Sequence, residues 1–203
     1  MRVLLVSEGR HELGDGSEPG ALELLVRRLL KRDLHVECDR FASGALHAVH
    51  GGKTKKYFKR ALAWMKHAGR EGFDAVIVVI DDDDEPRRRQ QFDDAQESSF
   101  CAIRRALGVA VREFDAWILA DERSLSGVLG MPVEPQDDVE RLSDPKQVCR
   151  GLLDRSERKG GITPTKMYAQ VAQEANLDTL IKRCPTGFAP FERRVRALLG
   201  VPA

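Results

Sequence analysis

Two short segments hold residue types whose spacing could do chemistry. The first, Ser7-Glu8-Gly9-Arg10-His11-Glu12, comes directly after the apolar run Val3-Leu4-Leu5-Val6. The second, Asp81-Asp82-Asp83-Asp84-Glu85, comes directly after Ala75-Val76-Ile77-Val78-Val79-Ile80, and a third pair, Glu113 and Asp115, follows the apolar stretch from Val109. Carboxylates gathered at one place repel: two unit charges ~4 Å apart cost about 4 kcal/mol even at an effective dielectric near 20. Protonation or a divalent cation relieves that cost. Oxygen-only donors, with no His or Cys in the set, favour magnesium or manganese over zinc. If the segment after Ile80 is extended, Asp81 and Asp83 project to one side and Asp82 to the other. Glu8 would face that D-x-D pair from a neighbouring strand, with Gly9 allowing a sharp backbone turn beside it.

The elements that must bring these groups together are legible as a pattern. Residues 2–7 read as a strand buried on both faces, 21–31 as a helix with Leu22, Leu25, Val26, Leu29 and Leu30 on one stripe, and 34–41 as a second strand. Gly51 and Gly52 break the chain, after which Tyr57, Ala61, Trp64, Met65 and Ala68 recur at helical spacing. Residues 75–80 form the clearest strand, apolar throughout and mostly β-branched. A helix over 90–107, with Phe100, Ile103 and Leu107 inward, a strand over 109–114 and a helix from Ala116 to Ala120 complete the series. Strands alternating with helices predict an α/β fold with a parallel sheet of about four strands, covered by helices on both faces. In such sheets ligands bind beyond the carboxyl ends of the strands, where all three acidic segments fall. Beyond about residue 122 the texture changes to a proline-punctuated polar stretch and then helical patterns near 145–154, 164–174, 176–183 and 187–199. The expectation is an α/β unit over 1–121 with a helical extension over 122–203 packed on it.

Composition sets limits. The 203 residues carry 33 Lys and Arg against 32 Asp and Glu, a net charge of +1, so no sequence-wide pull on nucleic acid exists and any grip must be local. No apolar run approaches the ~20 residues needed to span a bilayer. Cys38, Cys101, Cys149 and Cys184 are scattered without a C-x-x-C pair, which predicts free thiols and a reducing, cytoplasmic setting. Acid arrives at Glu8, too soon for the opening apolar run to be a secretory leader.

At the acidic segments the chain resembles the Toprim superfamily, in which one apolar strand ends in Glu-Gly and a later one in D-x-D. The matching segments are LLVSEG (4–9) and VIVVIDDDD (76–84), and the likeness covers about residues 1–121. SEGRHE (7–12) resembles the Glu-Gly-x-x-Glu variant of OLD-type nucleases. REFDAWILAD (112–121) is similar to a stretch in small stand-alone Toprim-like proteins of bacteria, some associated with phage defence. The resemblance implies a Toprim-like, Rossmann-like fold and magnesium- or manganese-dependent phosphoryl transfer on nucleic acid. It assigns Glu8 as metal ligand or general acid/base, Asp81 and Asp83 as metal ligands, and Glu12 as the second glutamate. The loop from Glu8 to Gly20 is longer than in the family pattern, so Asp15 and Glu18 compete with Glu12 for that role. Neither Tyr57 nor Tyr168, the only tyrosines, suits topoisomerase chemistry.

Substrate phosphates would need cations. Candidates are Lys53, Lys55, Lys56, Lys59 and Arg60, the triplet Arg87-Arg88-Arg89 beside the acidic run, and Lys146 and Lys166 at helix starts. His11, between Glu8 and Glu12, could move protons. His47 and His50 stand three apart with no third partner. Trp64 and Trp117 fit helix core positions, and Phe188 and Phe191 are expected to dock the last helix. Three readings follow: a Toprim-type nuclease or related phosphotransfer enzyme, a non-catalytic Toprim-like protein that binds a metal or partner in its acidic pocket, and a phosphoreceiver. The last would want a lysine ending a fifth strand, and the sequence has none. A near-neutral chain also invites a second protein component, or further copies of itself, to hold nucleic acid.

Overall fold

The computed structural model describes residues 1–14, 16, 18–42, 55–158 and 160–200. Its centre is a sheet of four strands, β1 (Arg2–Ser7), β2 (His35–Arg40), β3 (Ala75–Asp81) and β4 (Arg104–Ala110), in the order β2-β1-β3-β4. Every pairing is parallel. The helices are α1 (Arg10–Leu13), α2 (Ala21–Leu30), α3 (Lys56–Arg70), α4 (Pro86–Gln96), α5 (Asp115–Leu119), α6 (Glu122–Leu129), α7 (Pro145–Arg155), α8 (Pro164–Glu174), α9 (Leu177–Arg183) and α10 (Phe188–Ala197). The expected α/β class with a helix-covered parallel sheet is therefore present. Among the described residues no strand lies beyond β4, and no helix is long and apolar enough to cross a membrane.

Side-chain alternation sorts the strands into two cores. Val3, Leu5, Ala75, Ile77, Val79 and Ala106 face α2 and the C-terminal helices. Leu4, Val6, Val76, Val78, Ile80 and Leu107 face α3 and α4. The C-terminal helices complete the first face: Tyr168 and Val171 of α8 and Phe188, Phe191 and Val195 of α10 are buried in the same cluster as Leu22 and Leu25 of α2. Phe188 and Phe191 both pack on the Trp117 indole, with ring centroids 5.2 and 5.3 Å away. Trp64 is fully buried against the other face. All four cysteines are free.

The segment from 86 to 114 differs from its expected elements. α4 ends at Gln96, residues 104–107, expected as the end of a helix, open β4, and that strand stops before Val111, sharing only Val109 and Ala110 with the strand expected over 109–114. Phe100, expected inward, is 74% exposed. One arginine and one glycine disguised the strand. Arg105 looks like helix surface, yet its guanidinium donates to the carbonyls of Gln96, Ser98 and Cys101, closing the turn before β4. Gly108 also weakens a strand pattern. It is there because Phe191 of α10 crosses directly over it: a Cβ would lie 2.7 Å from Phe191 Cδ2. α6 falls within the proline-punctuated stretch where no helix was expected, and it starts at the capping side chain of Asp121. His47, His50, Gly51, Gly52, Lys53 and Asp15 lie outside the described residues.

Candidate functional site

β1 and β3 are hydrogen-bonded neighbours, so their carboxyl ends deliver Glu8 and Asp81 side by side. Glu8 Oε2 accepts from the Asp81 amide at 3.0 Å, and Asp81 Oδ1 accepts from the Phe114 amide at 2.8 Å. Glu12 reaches the same place from α1. Its carboxyl is in hydrogen-bonding contact with Ser7 Oγ and 3.4 Å from the Gly9 amide, and the residue is only 6% exposed. Gly9 serves this approach through space, not through a turn. Its φ of −88° is ordinary, but any Cβ would collide with the Glu12 carboxyl.

A further buried acid joins them. Asp115, at the start of α5, is also 6% exposed and accepts from the Tyr168 hydroxyl of α8. Sequence reading placed Asp115 at the right end of the sheet but gave it no role. The signal was present in its position after a buried strand, but its partner comes from the C-terminal extension, 53 residues away.

Electrostatics separate this group from ordinary surface acids. Burial pushes the Asp81 carboxyl up to about 8, and the charges of Glu8, Asp115 and Asp83 add to that against the Phe114 amide. Burial raises Glu12 well above the usual carboxylate range, with Asp81, Asp115 and Glu8 as further repulsions. Glu8 is raised as well, first by burial, with the Asp81 amide, Arg88 and Lys56 pulling the other way. Ser7 Oγ donates towards the Glu12 carboxyl and also lies 3.2 Å from the Val79 carbonyl, so its single proton is contested by two acceptors.

The D-x-D segment adopts another shape than the extended one expected. β3 ends at Asp81, and Asp83 and Asp84 have left-handed φ of 44° and 59°. Asp82 Oδ1 accepts from the Arg112 and Asp84 amides at 2.8 and 3.2 Å and so ties the loop after β3 to the loop after β4. Asp83 sits at the rim, its side chain 52% exposed and its Oδ2 2.6 Å from Arg88 Nη1. That same nitrogen is 3.6 Å from Glu8 Oε2 and donates to the Asp81 carbonyl at 2.9 Å. Arg88 thus stands between Glu8 and Asp83 as an internal counter-cation, stacked over the Tyr57 ring at 4.6 Å.

The other expected cations are distributed unevenly. Arg89 donates to the Thr186 carbonyl at 2.6 Å and lies 3.4 Å from Asp82, a brace between α4 and the start of α10. Lys55 precedes α3 with φ 71° and its ammonium lies 5.8 Å from the Phe58 ring, whereas Lys56 is near enough to act on Glu8. Arg60 donates to the Phe41 carbonyl at 2.5 Å. Lys166 is exposed on α8 and lines a separate hollow with Glu157 and Arg158. Its neighbour Thr165 does reach the site: Thr165 Oγ1 is 2.8 Å from His11 Nδ1, and the His11 ring meets Tyr168 edge-on at 5.6 Å. Burial lowers the His11 pKa, with Asp115 opposing and Lys146 and Arg150 reinforcing. Glu18 lines a hollow with Cys38 and Asp39 beside β2 instead of the acidic centre.

A hard divalent cation matches this donor set chemically, since the groups are all carboxyl oxygens, buried or half-buried, and raised by burial and by neighbouring carboxylates. Among the described residues, however, no three His, Cys, Asp or Glu side chains are already disposed as a coordination cage. Arg88 and the Asp81 amide hold Glu8 in its present position. No protein-family model, curated protein or solved structure matches the chain.

Proposed function

We propose that this chain is a Toprim-type phosphoryl-transfer enzyme that hydrolyses phosphodiester bonds of nucleic acid with magnesium or manganese. The observation that carries this reading is the meeting of Glu8, Glu12 and Asp81 beyond the carboxyl ends of two adjacent strands, all three raised first by burial and then by neighbouring carboxylates. A fold does not keep several mutually repelling, buried carboxyls at one point for stability, because each costs free energy when ionised.

Glu8, Asp81 and Asp83 would hold the cation, with Glu12 behind them. When bound, it lowers the pKa of water and stabilises charge on a leaving oxygen. Glu8, with its side chain 29% exposed, is the member of the buried trio that reaches solvent. Its carboxyl oxygen not engaged by the Asp81 amide is placed to take a proton from an attacking water or return one to the departing group. Tyr168 and the Phe114 amide orient Asp115 and Asp81, and Arg88 balances charge at the rim.

The test is cleavage of single- and double-stranded DNA and RNA with magnesium or manganese, beside Glu8→Gln. Metal-dependent cleavage that disappears in the variant is expected; equal cleavage by both chains would sink the assignment. One observation favours a second reading. Arg88 already neutralises Glu8 and Asp83, as in a Toprim-like protein that binds a metal or partner without turnover. Saturable manganese binding with no product from any of the four nucleic acids would select it.

A further inference from the structure

Beside the acidic centre lies a cleft of about 590 Å³ between the loops after β3 and β4 and the helix α7. Asp83, Asp84, Arg112 and Glu113 form one wall, and Lys146 and Arg150 of α7 stand on the other. Every lining side chain is polar or charged. Four of them are acids, yet each acid is already engaged. Asp83 pairs with Arg88, Asp84 with Arg112, Glu113 accepts from the Lys146 amide at 3.1 Å, and Asp144 caps α7 through the Gln147 amide at 2.8 Å. Lys146 and Arg150, in contrast, form no ion pair among the described residues. They are spaced i, i+4 on one helix face, where like charges repel, and Glu113 across the cleft is the carboxylate on which Lys146 acts. The cleft adjoins the acidic centre through Asp83, which lines it and pairs with Arg88, whose Nη1 lies 3.6 Å from Glu8 Oε2.

We propose that this cleft seats a phosphate of a single-stranded nucleic acid next to the scissile one, with Lys146 and Arg150 as its ligands. The inference rests on the proposed phosphodiester chemistry and adds what holds the substrate there. The volume of this open cleft is of the size that one or two nucleotides fill. No aromatic side chain lines the cleft, so it offers no base-stacking platform and the grip is on the backbone, indifferent to sequence. A chain of net charge +1 has little else with which to hold a rigid duplex.

The experiment is fluorescence anisotropy of a labelled single-stranded oligonucleotide at several salt concentrations, on the full chain and on Glu8→Gln, with calcium replacing magnesium. Lys146→Ala combined with Arg150→Ala should flatten the plot of log affinity against log salt by about 0.7, the single-strand value for the one phosphate contact they share. Lys146→Glu with Arg150→Glu should remove measurable binding, and Lys182→Ala on distant α9 should change nothing. Circular dichroism checks that the variants fold. The proposal is overturned if the wild-type chain binds no single strand, if the two α7 variants keep its affinity and salt slope, if duplex binds as well as single strand, or if inorganic phosphate competes as strongly as the strand. Failure of the catalytic reading looks different: strand binding with its loss in the α7 variants persists, but no metal yields cleavage. Cleavage that needs Glu8 and ignores the α7 variants would leave the enzyme reading intact and remove this one.

Discussion

The two ends of the sheet handle charge in opposite ways. At the amino end Arg2 gives two hydrogen bonds to Glu37, at 3.0 and 2.8 Å, and another to the Glu71 carbonyl, while its guanidinium lies 4.1 Å over the Phe73 ring. Asp74 accepts from the Arg2 amide at 2.7 Å, and Arg104 donates to the Asp74 carbonyl. Acids and cations there match and face water. At the carboxyl end Glu12 and Asp115 are buried and Asp81 half-buried, burial and neighbouring carboxylates raise Glu12 and Asp81, and the guanidinium beside them, Arg88, pairs with Glu8 and Asp83 instead. An end built for stability pairs its charges. The carboxyl end keeps Glu12, Asp81 and Asp115 without an ion pair among the described residues, and on the proposed reading that is where a cation would sit.

The comparison breaks most visibly in activity. Asp81→Asn and Glu8→Gln should each lower metal-dependent cleavage by about 10²–10⁴-fold, the range for losing a positioned acid/base group, while Glu37→Gln at the opposite end leaves the rate unchanged. Equal losses at both ends would make the contrast meaningless. A smaller effect is expected one layer out: Tyr168→Phe, which frees Asp115, should cost about 10–100-fold, as outer partners of metal sites do, with the fold retained in circular dichroism.

Stability should respond with opposite signs at the two ends. A carboxyl raised to about 8 in the fold and ordinary when unfolded contributes fully at low pH, and that contribution is lost as pH rises towards 8. Melting temperature should therefore fall between pH 5 and pH 8. Asp81→Asn should flatten the fall and raise the pH 8 melting temperature, at ~2–4 °C per kcal/mol for a chain of this size. Magnesium added at pH 8 should do the same to the wild-type chain. A melting temperature independent of pH in the wild type would contradict the buried-acid account. The smallest effect is Arg2→Ala, which removes an exposed pair worth about 0.2–1 kcal/mol and should lower the melting temperature by a degree or a few, independent of magnesium.

Much of this was visible in the linear chain. β1, β3 and α2 announce themselves because long apolar runs or a clean stripe leave few alternatives, and Glu8 and Asp81 follow from the ends of those strands. The errors on either side of Val109 and Ala110 arose where side-chain contacts override helical preference: Arg105 closes a turn through three carbonyls four to nine residues back, and Gly108 exists for Phe191, 83 residues later. The D-x-D geometry failed for a similar reason. Asp82, not the flanking pair, organises that loop through the amides of a segment 30 residues on.

Hydrophobic periodicity and residue type alone were enough for a parallel sheet with acids at one end, because burial on both faces and strand alternation are local consequences of side-chain chemistry. Folding in three dimensions decided which acids lose their water, that Asp115 and Tyr168 join them, that Arg88 faces inward, and that α7 closes a cleft with two cations. Those outcomes depend on groups separated by tens of residues. Desolvation and charge repulsion act through distance in space, and no one-dimensional pattern records it.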